Sequence, residues 1–397
     1  MQRIKFSISN VKSIALIGFV CAVFVFTNFP ITNTPFVNSV HADHLTLEIA
    51  GKTHELDGEI LIEAQDKSIF FREIDGRLWL VKANQIKSKI DVEKPVEAIS
   101  KKEMGERLLK ELPDGFRIYE TKHYVIAYQN EVAYARWVGG LYESRLFNAF
   151  EKFWEKRKKV ELTEPAFPLA IVIFGSRPQY QRYVDRELGP GQSMVAYYNL
   201  LSNRVTMFDL TSVHGNGQAL NDRKISEVLR SPSAVNMVAT MIHEATHQLI
   251  FNRGMQTRLA ESPLWMNEGL AMFFEAPNLR SRRGWQGPGL VFQQRLIRFR
   301  RFLSSRPANS LVSLIQSDER LRNQEDLLDA YAESWAFNHF LLNRRSDQYV
   351  AYLQFMAQKK ALVEDSPETR MADFKKFFKE DLADLDAAFI KYIRKLK

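Results

Sequence analysis

Cysteine is nearly missing from this sequence: the 397 residues contain one, Cys21, inside an apolar run near the start. The rest of the chain therefore has no disulfide and no cysteine-ligated metal site. Phe19 and Val20, just ahead of Cys21, are bulky where a lipidation motif takes small residues, which argues against a lipid anchor. Long apolar runs are scarce as well. The longest, Ile14 to Phe26, falls short of the roughly 20 residues that a membrane-spanning helix needs. A strong charge of one sign is also absent. The formal net charge is +8, of which Arg3, Lys5 and Lys12 supply three. That excess is too mild to imply a polyanionic partner, and no nucleic-acid-binding motif is recognisable. No internal repeat is visible.

What is present begins with a targeting pattern. Arg3, Lys5 and Lys12 precede the apolar run, and Val40-His41-Ala42 offers a small-residue cleavage site far downstream of it. Residues 1–42 thus read as an export signal, with retention as an N-terminal membrane anchor the alternative. Either reading puts the rest of the chain outside the cytoplasm: in the periplasm, in the cell envelope or secreted. Arg280, Arg282, Arg283, Arg295, Arg298, Arg300 and Arg301 form a basic cluster. It reads as a solvated helix face rather than as a site for acidic polymers.

The pattern downstream is that of an α+β protein. A small β module spans 43–90, with β-rich runs Leu45 to Ile49, Glu59 to Glu63, Ser68 to Glu73 and Leu78 to Val81. Asp57-Gly58 and Asp75-Gly76 supply its hairpin turns. A charged linker with one short amphipathic helix occupies 91–115. From 116 to 277 the pattern is mixed. Strands are expected at Phe116 to Glu120, Tyr124 to Tyr128, Leu169 to Phe174, Met194 to Tyr198 and Arg204 to Phe208, and a long helix over about Val132 to Arg157. Residues 278–397 form a helical subdomain, with helices near Leu290 to Leu303, Asp326 to Leu342, Gln348 to Lys359 and Met371 to Lys395.

Histidine is rare too, with 8 in the chain, so a chance His-Glu-x-x-His is expected in roughly 1% of such sequences. His243-Glu244-Ala245-Thr246-His247 is one, and its context is helical. Ser231-Pro232 gives a start, Gly254 an end, and Val235, Val238, Met241, Ile242, Ala245, Leu249 and Ile250 recur at helical spacing. Histidines four apart project from one face and can hold a single metal ion, while Glu244 can hold a polarised water. A catalytic zinc usually takes a third protein ligand. Glu268, 21 residues beyond His247 on a helix opened by Ser262-Pro263 and closed by Pro277, is the best choice. Glu261 and Glu275 are its rivals; Glu275 lies on the same helix face about 10 Å further on.

His-Glu-x-x-His followed by Asn267-Glu268-Gly269-Leu270-Ala271 resembles the gluzincin zinc metallopeptidases. More narrowly, it resembles a peptidase-MA-like family of unknown function found in exported bacterial proteins. The resemblance runs from about Phe116 to Phe340. It implies a zincin-like catalytic domain, a mixed sheet plus active-site helix, and one Zn²⁺ bound by His243, His247 and Glu268 with Glu244 as general base. It also implies an edge strand, Met194 to Tyr198 or Arg204 to Phe208, that pairs with extended peptide. Tyr331 stands where such enzymes place an oxyanion donor; a tyrosine anchoring a core helix with Trp335 and Phe337 is the equal alternative. Two features depart from the pattern. The Gly-x-Met-Glu-Asn motif of the aminopeptidases is missing. Ala271 and Met272 stand where some gluzincins carry a carboxylate that orients a zinc-bound histidine, so another group, such as a backbone carbonyl, is expected to serve.

The expectation is thus an exported zinc metallopeptidase acting on a peptide or protein substrate. The alternative is an exported metal-binding scaffold or interaction protein. A zinc hydrolase of some other bond is a third possibility. His214 and His339 read as exposed and structural respectively.

Overall fold

The computed structural model describes residues 43–92, 94–213, 221–278 and 285–397. Residues 1–42, expected to be an export signal or anchor, and His214, Arg280, Arg282 and Arg283 lie outside the described residues. Among those described, no helix is long and apolar enough to cross a membrane. The architecture is mixed α+β: an N-terminal antiparallel sheet, a second mixed sheet, and a helical C-terminal region.

The first sheet comprises β1 (Asp43–Ile49), β2 (Lys52–Glu63), β3 (Ile69–Glu73), β4 (Leu78–Val81) and β5 (Ile86–Asp91), in the order β4-β3-β2-β1-β5. Alternating burial along β1 and β2 matches their sequence pattern. Asp75-Gly76 forms the expected turn. Asp57-Gly58 does not: Gly58 sits inside β2, opposite both Asp43 and Glu73. A Cβ there would come within 2.1 Å of the Arg72 carbonyl, so this glycine permits close strand approach rather than a reversal. The reversal is made by Ala50 and Gly51, both at positive φ.

Helix α1 (Lys101–Glu111) starts with a capping box between Ser100 and Glu103. It buries Met104 and Leu108 against the second sheet, so this stretch is part of the body rather than a linker. That sheet contains β6 (Arg117–Glu120), β7 (Tyr124–Tyr128), β8 (Leu169–Phe174), β9 (Ala196–Asn199) and β10 (Arg204–Phe208), ordered β6-β7-β8-β10-β9. β7, β8 and β10 are mutually parallel and wholly buried; β6 and β9 are antiparallel edges. The long helix appears as α2 (Val132–Leu141) and α3 (Asn148–Glu151), continued through wider turns over Tyr142–Phe147 and Lys152–Arg157.

The remaining helices are α4 (Arg177–Glu187), α5 (Asp222–Leu229), α6 (Val235–Asn252), α7 (Leu264–Glu275), α8 (Gln293–Phe302), α9 (Ser310–Gln316), α10 (Glu319–Arg322), α11 (Leu327–Arg344), α12 (Ser346–Ala357), α13 (Pro367–Phe377) and α14 (Leu382–Lys395). The single helix expected from Met371 to Lys395 is therefore two. Asp381 caps α14 by accepting from the Ala383 N–H, which restarts the chain after Phe378 leaves the helical region. The first sheet docks on the second through the β9–β10 turn: Leu78 N–H donates to the Leu201 carbonyl at 2.8 Å. Arg258 joins the two by donating to Leu200 O at 3.1 Å and Gly76 O at 2.6 Å.

Candidate metal centre

α6 is buried on all sides, not on one stripe: every residue from Val238 to Ile250 is buried. Its polar side chains must therefore find partners inside the protein. Gln248 does so by donating to the Ala170 and Asn203 carbonyls at 3.1 and 2.9 Å, which fixes the helix against β8 and the β10 entry. Gly254, at positive φ, ends the helix as expected. Ser231 does not cap α6 directly; a 3₁₀ turn over Pro232–Ala234 intervenes.

One turn apart on this helix, the His243 and His247 rings lie 4.7 Å apart, with their Nε2 atoms separated by 3.1 Å. α7 packs across α6 and brings Glu268 to them. Its Oε2 is 3.1 Å from His243 Nε2, and its Oε1 is 3.6 Å from His247 Nε2. A tetrahedral zinc with bonds near 2.05 Å requires ligand atoms about 3.3 Å apart. These three side chains, all within 4.8 Å of one another, are thus a group that could hold a metal ion. Two polar atoms are also left over: Glu268 Oε1 and His247 Nδ1 are buried without a hydrogen-bond partner. A cation at the centre answers the first of these.

The rival carboxylates have other tasks. Glu261 pairs with Arg370, which also bonds Asp318 at 2.9 Å, away from the histidines. Glu275 is not a ligand, yet it belongs to the site. Its Oε2 accepts from His243 Nδ1 at 2.8 Å, and its Oε1 accepts from Arg295 Nε. The orienting group is therefore a carboxylate seven residues after Glu268, two turns along the same face, and not a backbone carbonyl. Arg295 is consequently no solvated arginine. Arg298, Arg300 and Arg301 are exposed, as a solvated helix face requires; Arg298 pairs there with Asp329, and Arg300 donates to carbonyls at the end of α14.

Glu244 stands beside the group of His243, His247 and Glu268 without joining it; its Oε2 accepts from the Tyr198 backbone N–H at 2.8 Å. This contact ties α6 to β9, which is the sheet edge; β10 lies inside. The edge is not open, however. Ala196, Tyr197 and Tyr198 are buried, and Tyr198 stacks on Phe251 of α6 with ring centroids 5.8 Å apart. The four central side chains are covered as well, with His243, His247 and Glu268 each 1% exposed and Glu244 2%.

Burial sets the electrostatics. It pushes the Glu244 carboxyl up to about 8, with His243 opposing and Glu268 adding to the rise. Burial would lower His243, but its hydrogen bonds to Glu268 and Glu275 win and raise it to about 10 in the metal-free protein. His247 is lowered by burial. Burial opposes ionisation of Glu268, yet the two histidines hold it well below the usual carboxylate range. The cluster is thus arranged to keep positive charge between Glu268 and Glu275, where a metal ion would have to compete with a proton for His243.

Tyr331 lies on α11, which packs against α7. It is a 7% exposed member of the hydrophobic core, three residues before Ser334, whose carbonyl faces Gly269. His339 is structural: its ring meets the Tyr392 hydroxyl at 2.8 Å and the Gly289 carbonyl at 3.3 Å. Sequence reasoning missed Arg295 and the role of Glu275. The two-turn spacing from Glu268 was the available signal for the carboxylate. For Arg295 there was none, because its partner is set by how α8 packs.

A family model described as a protein of unknown function (DUF1570) matches residues 237–363, a span that includes His243, Glu244, His247, Glu268, Glu275, Arg295 and Tyr331. No curated protein matches the chain.

Proposed function

We propose that this protein is a zinc-dependent hydrolase of peptide bonds, zincin-like in build, with His243, His247 and Glu268 as ligands and Glu244 as general base. The observation that carries the reading is the meeting of two imidazoles and a carboxylate within 4.8 Å of one another, with a further carboxyl on the residue next to the first histidine. Bound zinc would supply a polarised water and a Lewis acid for the scissile carbonyl. Glu244 would take the proton of that water and return it to the leaving amine. Glu244, raised by burial, would be drawn back toward neutrality by a divalent cation nearby, the range in which a base can both accept and release a proton. Glu275, which accepts from His243 Nδ1, would hold the ring with Nε2 free for the ion. Tyr331 is assigned the oxyanion on the resemblance alone. By the resemblance, extended peptide would add along β9, which requires Glu244 to release the Tyr198 N–H that it now accepts. Export rests on the sequence of residues 1–42.

Burial of the four side chains favours a second reading, in which the ion is structural and the protein a scaffold. The presence of Glu244 opposes it, because a structural zinc has no use for a base. Glu244→Gln separates the two. The expected result is one zinc per chain in both proteins, cleavage of a peptide library by the wild type, and at least a roughly 100-fold loss in the variant. Cleavage by Glu244→Gln at the wild-type rate refutes the base assignment. Zinc without any cleavage by the wild type leaves the structural site.

A further inference from the structure

We propose that Arg295 is a positioning residue of the metal centre, acting through Glu275 on the first histidine ligand. The inference rests on the metal-site reading above and extends it by one layer. His243 Nδ1 donates to Glu275 Oε2 at 2.8 Å, and the other oxygen of that carboxylate accepts from Arg295 Nε. Both Glu275 oxygens are therefore engaged, one toward the ligand and one toward α8. Glu275 is 0% exposed, so no water can take over either bond. Arg295 itself is braced, with its guanidinium carbon 5.8 Å from the centre of the Phe292 ring.

This geometry makes α8 part of the site. Glu275 ends α7, and Ala276 after it has left the helical region, so the backbone alone does not fix the carboxylate. Arg295 pulls from the side opposite His243 and sets the plane in which the imidazole N–H is accepted. That plane in turn decides whether His243 Nε2 points at the position shared with His247 Nε2 and Glu268. Groups that orient a metal-bound histidine typically change affinity 10- to 100-fold when removed.

The sign of the effect identifies the mechanism. A cation near a metal ion repels it, so a residue acting only through its charge would bind metal more weakly than its neutral replacement does. A positioning residue behaves oppositely. The test is the affinity of the full chain for Zn²⁺, by chelator competition, together with the visible spectrum of the Co²⁺-loaded protein as a readout of coordination geometry. Arg295→Met is expected to weaken Zn²⁺ binding at least about tenfold and to shift the Co²⁺ bands, while the metal-free far-ultraviolet circular dichroism stays the same. Affinity that is unchanged or increased overturns the proposal. If Arg295→Met does not fold, Arg295→Lys, which keeps the charge but cannot reproduce the Nε contact, is expected to weaken binding measurably; unchanged affinity overturns the proposal there too. A wild-type protein that binds no metal would instead refute the metal-site reading itself.

Discussion

Gly269, directly after the third proposed ligand, offers a perturbation whose size can be worked from contacts. α7 and α11 cross there so closely that an added Cβ would lie 1.8 Å from Asn338 Nδ2, 2.4 Å from its Cγ and 2.8 Å from the Ser334 carbonyl. Asn338 cannot simply move away. Its amide donates to the Trp265 and Ser334 carbonyls at 2.9 Å each, and its oxygen accepts from the Tyr349 hydroxyl. Forcing a methyl into this crossing costs about 2 kcal/mol of overpacking. Displacing Asn338 strands buried polar groups and costs about 3 kcal/mol more. The better helix propensity of alanine returns about 1 kcal/mol. Gly269→Ala should therefore destabilise by roughly 4 kcal/mol, about a 5 °C fall in Tm for a chain of this size. It should also weaken zinc binding, because any separation of α7 from α11 moves Glu268. Urea denaturation of Gly269→Ala, Asn338→Ala and the double variant checks the cause. Removing the Asn338 side chain relieves the two shortest contacts, so the two costs should be less than additive by about 2 kcal/mol. Additive costs, or a Gly269→Ala protein as stable as the wild type, would refute the argument.

Three further expectations follow from contacts elsewhere in the fold. In the metal-free protein His243 is raised from 6.5 to about 10, so metal binding at neutral pH must displace its proton; apparent Zn²⁺ affinity should rise by about tenfold per pH unit between about 6.5 and 9. The raised value also means that His243 stabilises the metal-free fold fully below about 6.5 and that this contribution is lost as pH climbs through about 10. Calorimetric titration in buffers of different ionisation heat measures the proton release, and pH-independent affinity would contradict it. Arg258→Met, which removes the bonds to Leu200 O and Gly76 O between the two sheets, should cost about 3 kcal/mol in urea denaturation while leaving zinc content unchanged.

The sequence by itself determined the parts whose physics is local. Helical spacing put His243 and His247 on one face, proline and glycine signals bounded α6 and α7, and alternation or unbroken apolar runs located nine of the ten strands. β5 escaped because Lys87, Ser88 and Lys89 face solvent on an edge, where no alternating apolar pattern is needed. Asp57-Gly58 misled because a strand that needs close approach and a turn that needs positive φ select the same residue. Tertiary structure decided the rest. Glu261, Glu268 and Glu275 are the same chemical group within 15 residues of sequence. Only the packing of α7 on α6, with α8 and α13 behind them, sends one between the two histidines, one to the far side of His243 and one to Arg370. Likewise, Arg295 and Arg298 are three residues apart on one helix. Burial beside Glu275 joins the first to the candidate metal site, while the second keeps an exposed ion pair, because a partner is assigned by which surfaces meet and not by the order of residues along the chain.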